Sequence, residues 1–209
     1  MKKLLLVIML LTGCADHHTW VVTQTATETA TSTTTSLQQL INQENDYLES
    51  VGQHPLIPGL ACNIYTVPTS TTSIVQATNS CTLTNQASYQ YLGQFNQPNS
   101  SASTGLNILP TALQPVYQSW FIVKCNGYLI NQDNNYHQFS LTSDDGSLLY
   151  VDGLLVNNDG LHSTQTVSNS KMLTQGAHYF EIDFFQATGM QSLILQEDGH
   201  VVDASQLYH

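Results

Sequence analysis

Between Leu148 and Val156 the chain reads LLYVDGLLV. Two short runs of branched and aromatic residues flank Asp152-Gly153, a pair that adopts the positive-φ turn suited to twisted antiparallel strands, so this stretch reads as a β-hairpin. The same pattern recurs downstream. In HYFEIDFF, His178, Phe180, Ile182 and Phe184 alternate with Tyr179, Glu181, Asp183 and Phe185, and Gly189 separates this strand from MQSLILQ. That arrangement gives either a second hairpin or a pair of strands facing each other across a sandwich. After Gly59 no long helical period recurs, and clusters of Gly, Asn, Asp and Ser punctuate the apolar runs. An all-β, antiparallel sandwich or barrel is therefore predicted over residues 59–209. The Asn-, Ser- and Pro-rich run 96–105 reads as a surface loop.

The first residues, MKKLLLVIMLLTGC, carry a basic start and an apolar run too short to span a bilayer permanently, followed by small residues. This is the pattern of a secretory leader over residues 1–13. Its ending, Leu11-Thr12-Gly13-Cys14, resembles the bacterial lipoprotein box, which implies lipidation of Cys14 and an envelope address. Ala15, where inner-membrane retention uses Asp, implies the outer membrane or cell surface. Several acyl chains together anchor stably. Residues 14–58 then read as a Thr-rich tether ending in a short helix, with Ser36 as N-cap and a stripe of Leu37, Leu40, Ile41, Tyr47 and Leu48. Pro55, Pro58 and Gly59 close it off, which places a domain boundary near Gly59.

Four lysines and no arginine face fifteen acidic residues, for a net charge of -11. Nucleic acid is excluded as a natural partner, because phosphate binding draws on clustered Lys and Arg. Divalent cations and neutral ligands suit such a surface. No nucleophile–base–acid order, glycine-rich phosphate loop or spaced carboxylate pair is present, so the chain reads as a binding protein and not an enzyme. With Cys14 lipidated, three cysteines remain. Cys62 and Cys81 enclose a Thr/Ser-rich stretch and are expected to pair. Cys125, on the same face as Phe121 and Val123 in WFIVKC, is expected as a buried free thiol, although spacing leaves pairings through Cys125 open. The eight histidines include no closely spaced ligand pair. His17 and His18 fall in the tether, and His162 and His178 read as hydrogen-bonding residues. Trp20 reads as membrane-proximal and Trp120 as core.

Residues 136–196 bring together SDDGS at Ser143–Ser147, the Leu-Tyr-Val-Asp-Gly hairpin, Asn158-Asp159-Gly160-Leu161-His162, and Gly176-Ala177-His178 leading into Phe184-Phe185-Gln186. Upstream stands YQSWFIVKCNGYL, and DASQLYH ends the chain. Together these resemble the protective-antigen carbohydrate-binding family, the PA-fourteen domain found in flocculins and epithelial adhesins, over about residues 60–209. The resemblance implies an antiparallel β-sandwich and a calcium ion held by Asp144 and Asp145 across a cis peptide, with the ion also ligating sugar hydroxyls. Adjacent side chains on an extended strand point to opposite faces, so two neighbouring carboxylates converge on one cation only where the backbone leaves that pattern. Calcium wants six to eight oxygens. The resemblance implies a second loop that supplies some of them, and here only Gln196-Glu197-Asp198-Gly199-His200 stands in its place. Asp198 is thus expected as the third metal ligand, with Glu197 and His200 beside Asp144 and Asp145 in the ligand site. The implied function is a calcium-dependent glycan-binding or adhesion module on a lipid anchor. The alternative is a non-lectin interaction module of the envelope. With so short a second loop, affinity per site is expected to be weak, about millimolar, and adhesion to rely on many copies.

Overall fold

The computed structural model describes residues 35–81 and 83–209. The leader, Cys14, Trp20 and most of the Thr-rich tether lie outside the described residues. Among the described residues, twelve antiparallel strands form two sheets, as expected: β1 (Leu60–Thr66), β2 (Thr84–Tyr91), β3 (Asn96–Ser101), β4 (Phe121–Asn131), β5 (Asn135–Asp144), β6 (Ser147–Val151), β7 (Leu154–Asn158), β8 (Gln165–Leu173), β9 (Gly176–Gln186), β10 (Met190–Glu197), β11 (His200–Val201) and β12 (Leu207–Tyr208). One sheet runs β2-β1-β4-β9-β6-β7, with β12 also on β4. The other runs β11-β10-β5-β8, with β3 on β10. β9 and β10 thus belong to different sheets. HYFEIDFF and MQSLILQ are facing layers of the sandwich and not a hairpin.

Strand alternation decides what fills the space between the sheets. Phe121, Val123 and Cys125 of β4 and Phe180, Ile182 and Phe184 of β9 meet Phe139 and Leu141 of β5 and Leu193 and Leu195 of β10. All ten are essentially inaccessible to solvent. Each large apolar side chain buried this way contributes roughly 1.5–3 kcal/mol.

Cys62 is joined to Cys125. The expected Cys62–Cys81 pair and the free Cys125 thiol are both corrected. The reason is register: Cys62 on β1 stands directly opposite Cys125 on β4, with Cα atoms 4.1 Å apart. Cys81 lies just past a second helix, outside these two strands.

Asn96–Ser101, expected as loop, is an edge strand on β10. Its Pro98 has no N–H to give, and the pairing slips at that point, between Gln191 and Leu193 of β10. An edge with a local irregularity is where a sheet accommodates proline.

Helix α1 (Leu37–Ser50) begins at a capping box, in which the Ser36 hydroxyl accepts from the Gln39 amide and the Gln39 side chain accepts from the Ser36 amide. It is not a free end of the tether. Leu40 and Ile41 pack with Leu56, Ile130, Ala177 and Tyr208 on the outer face of the larger sheet. Helix α2 (Ile74–Asn79) covers Ile122, Leu148 and Phe185 on the same outer face. Its first amides, those of Ile74 and Val75, donate to the Asp159 carboxylate at 2.8 and 3.0 Å. Asp159, just past the end of β7, therefore also caps a distant helix.

Candidate functional site

Asp144 ends β5 in one sheet, and Asp145-Gly146 turns the chain into β6 of the other. The Asp144–Asp145 peptide is cis. Asp144 Oδ2 accepts from the Thr164 amide at 3.0 Å and the Thr164 hydroxyl at 3.2 Å. Asp145 Oδ2 accepts from the Ala187 amide at 2.8 Å. These bonds bring the loops after β7 and β9 onto the pair. Gly146 has a steric reason to be glycine, since a Cβ there would stand 2.7 Å from the Gly160 nitrogen and 2.8 Å from its oxygen.

Both aspartates are buried, at 6% and 7% exposure. Burial raises the Asp145 pKa from its ordinary value, and the neighbouring charge of Asp144 adds to this against the amides of Ala187 and His162. A divalent cation relieves such a pair, because it rewards both negative charges at once. Asp144 Oδ1 takes no hydrogen bond among the described residues. Beneath the loop the sandwich interior is polar. Ser143 accepts from both Ser147 and Asn158, and among the described residues the fully buried amide of Gln191 has no hydrogen-bond partner. Unpaired buried polar groups are uncommon except where a water or ion completes them. The donor set therefore fits an oxygen-ligated cation, with Asp144 and Asp145 as its protein carboxylates.

The other expected ligands are elsewhere. β10 runs antiparallel to β5 with Ser192 opposite Asp144 and Glu197 opposite Phe139, so Asp198 reaches the far end of β5. There its Oδ1 accepts from the Gln138 amide at 2.8 Å. Six residues separate Gln138 from Asp144, about 20 Å of strand. Asp198, Glu197 and His200 therefore do not join Asp144 and Asp145, which corrects the expected three-aspartate metal set and the expected composite ligand site. The loop at residues 159–164 takes the place assigned to residues 196–200. It belongs to the Asn158-to-His162 motif picked out in the sequence. Its polar groups are largely committed: His162 bonds the carbonyls of Ser163 and Asn158, and Asp159 caps α2. Trp120 lies just ahead of β4, half-buried, with φ +56°, and not on the strand. Its amide donates to the carbonyl of Ala187, whose own amide holds Asp145. Its ring packs against Phe185, with centroids 6.3 Å apart.

The Asp152-Gly153 turn does more than turn. The Asp152 carboxylate meets His178 Nδ1 at 2.6 Å and accepts from the Tyr179 amide at 2.9 Å, while His178 Nε2 bonds the Thr174 carbonyl. These are structural bonds, as read for His178.

A cavity of about 570 Å³ lies away from the Asp pair, between the end of α1 and the outer face of the larger sheet, with Leu56, Tyr65, Lys124, Tyr128 and Tyr179 in its wall. Lys124 is the one residue of its wall among Asp, Glu, Lys and Arg, and that charge is spent. Lys124 bonds the fully buried Asp183 at 2.7 Å and approaches Glu181 at 3.8 Å. Burial pushes the Asp183 carboxyl up and the Lys124 ammonium pulls it back. The cavity is a gap around a structural ion pair, and convergent oxygen chemistry is found at Asp144 and Asp145.

Residues 108–202 match the model of the PA14 domain family. The structure is similar to the PA14 domain of the MpAFP antifreeze protein, with 18% identity, a TM-score of 0.57, and coverage of 73% of this chain and 91% of that one. It is similar to the PA14 sugar-binding domain from an RTX adhesin, at 20% identity and TM-score 0.57, covering 73% and 99%. It also resembles a subtype-switched epithelial adhesin A domain from Candida glabrata in complex with β-lactose, at 12% identity and TM-score 0.52, covering 73% and 88%. No curated protein matches the chain.

Proposed function

We propose that this chain, whose β-sandwich is a PA14 domain, is a non-enzymatic adhesion-type module that binds glycan hydroxyls through a calcium ion held by Asp144 and Asp145. The observation that carries this reading is the convergence of two buried, adjacent carboxylates, each fixed through one oxygen by amides of neighbouring loops. Calcium supplies the charge that lets both stay ionised and offers open positions to paired hydroxyls. The chain's own residues position it: Thr164 and Ala187 orient the carboxylates, and Gly146 lets the two loops close. Two of the similar structures are a sugar-binding domain from an RTX adhesin and an adhesin domain in complex with β-lactose. On the lipoprotein-like leader, the module is placed at the outer membrane or cell surface through Cys14.

Calorimetry with calcium chloride tests the metal, and a glycan array run with and without chelator tests the sugar. Asp145→Asn is expected to weaken calcium binding at least tenfold while leaving the fold intact. No calcium heat at about millimolar ion, the weak end of protein calcium sites, would remove the reading. A second reading rests on the absent second loop: with Glu197 to His200 at the far end of β5, the ion has fewer protein ligands than six to eight. Calcium binding without any glycan signal would favour that reading, an interaction module of the envelope.

A further inference from the structure

At the opposite end of β5, His137, Glu197 and Asp198 each turn one ligand atom into a common space, and all three atoms lie within 4.8 Å of one another. His137 is 8% exposed. Its Nδ1 stands 3.1 Å from Glu197 Oε1 and 3.0 Å from Asp198 Oδ2, while Nε2 stands 2.9 Å from Asp133 Oδ1. We infer that these residues form a second metal site, distinct from the Asp144–Asp145 pair, which takes a first-row divalent cation of the zinc class through His137 Nδ1 and the Glu197 and Asp198 carboxylates.

Three features carry this. With Nε2 held at Asp133, His137 presents Nδ1 to two carboxylate oxygens at 3.0 and 3.1 Å, and a metal ion in place of the proton on Nδ1 meets all three atoms at once. Asp133 on the far nitrogen is the outer partner that metal-bound histidines use to fix tautomer and ring orientation. The 3.0 and 3.1 Å separations from Nδ1 also fit, since four-coordinate zinc with bonds of about 2.0–2.1 Å has ligand–ligand edges of about 3.3 Å.

Charge balance points the same way. The cluster holds three carboxylates against one imidazole. Of the two lysines among the described residues, Lys124 is paired with Asp183. Lys171, directly opposite His137 on β8, turns its ammonium to the Val151 and Asp152 carbonyls. Even a protonated His137 leaves the cluster negative. A divalent cation neutralises more of it than a proton does, and an imidazole ligand selects zinc-class ions over calcium. The Asp198 and Asp133 side chains are about half exposed, at 51% and 56%, so the ion has a route from solvent. The fourth position falls to water or to His200, opposite Glu197 across the β10–β11 turn. Such an ion fastens the β4–β5 turn to the β10–β11 turn.

Zinc chloride titrated into the purified full chain by calorimetry, in two buffers of different protonation enthalpy, tests the site. One equivalent is expected to bind with proton release near neutral pH, because metal and proton compete for Nδ1. His137→Gln is expected to weaken binding at least 100-fold and Asp133→Asn, which removes only the outer partner, about 10- to 100-fold. Asp145→Asn is expected to leave zinc binding unchanged, which separates this site from the calcium proposal. Glu197→Gln, checked by near-UV circular dichroism, carries the test should His137→Gln fail to fold. Absence of binding at roughly 100 µM zinc, or binding that neither His137→Gln nor Glu197→Gln weakens, overturns the site.

Discussion

Gly127 sits on β4 between the part paired with β1, which ends at Asn126, and the part paired with β12, which begins at Tyr128. A Cβ at this position would lie 2.0 Å from the Tyr208 carbonyl oxygen and 2.9 Å from Leu60 Cδ2. The oxygen is backbone and cannot rotate away, so in Gly127→Ala β12 must retreat by about an ångström or more to reach an ordinary contact distance. Leu207, 1% exposed and part of the main core, is carried with it. So are the 2.8 Å backbone bonds that tie Leu207 to Gly59 and His209 to Ile57. Loss of two or three such bonds costs roughly 1 kcal/mol each. Partial loss of a buried leucine adds a fraction of the roughly 2–5 kcal/mol that its deletion costs. A total near 3–5 kcal/mol follows, which in a domain of this size lowers Tm by about 6–20 °C. Urea and thermal unfolding against the wild type measure it. Gly153→Ala is the control, because its Cβ meets nothing within 4 Å and only its φ of +113° is strained. A loss below about 1 kcal/mol in Gly127→Ala, or one no larger than in the control, would refute the packing of β12 against β4.

Replacing Cys62 and Cys125 by alanine opens a covalent loop with sequence separation 63, so a stability loss of up to about 4 kcal/mol is expected in the chain-entropy model, and unreduced peptide mapping should recover a Cys62–Cys125 crosslink. Lys124→Met leaves Asp183 buried with no counter-charge and is expected to cost about 3–5 kcal/mol in urea unfolding, most of it recovered in Lys124→Met with Asp183→Leu. The His178–Asp152 pair gives a pH signature. Burial lowers the His178 pKa, but the Asp152 bond and the Thr174 carbonyl outweigh it and the net shift is upward. Burial likewise raises Asp152, and His178 outweighs it to leave Asp152 lowered. The histidine's contribution is full below about pH 6.5 and fades as pH rises through its raised value. The aspartate's is full above about pH 3.8 and fades as pH falls through its lowered value. The Tm difference between wild type and Asp152→Asn should therefore be largest between about pH 4 and 6.5 and shrink on both sides.

Local pattern carried much of the fold. The Asp152-Gly153 hairpin, the alternation in β9 and the capped helix at Ser36 were legible because each depends on residues within a few positions. The disulfide was not, because it depends on which strand lies beside β1. The enclosed Thr/Ser-rich run suggested Cys81, whereas strand order put Cys125 opposite Cys62. The docking of α1 escaped for the same reason. Its apolar stripe was visible, but its partners Ile130, Ala177 and Tyr208 come from three distant segments.

The candidate site divides along the same line. Asp144-Asp145 could be read because the two carboxylates are adjacent in sequence, and Gly146 marks the close approach of another loop. Placing Glu197-Asp198 beside them required the register of β10 on β5. That pairing is antiparallel, with Ser192 opposite Asp144, so each further residue along β10 moves away from the Asp pair and toward Gln138. The acidic residues therefore collect at both ends of one strand. At one end, two carboxylates held by amides suit an all-oxygen cation. At the other, carboxylates gathered on an imidazole suit a nitrogen-seeking one. Zinc and calcium titrations, each read against Asp145→Asn and His137→Gln, should separate into two independent responses, since no residue is shared and about 20 Å of strand lies between them.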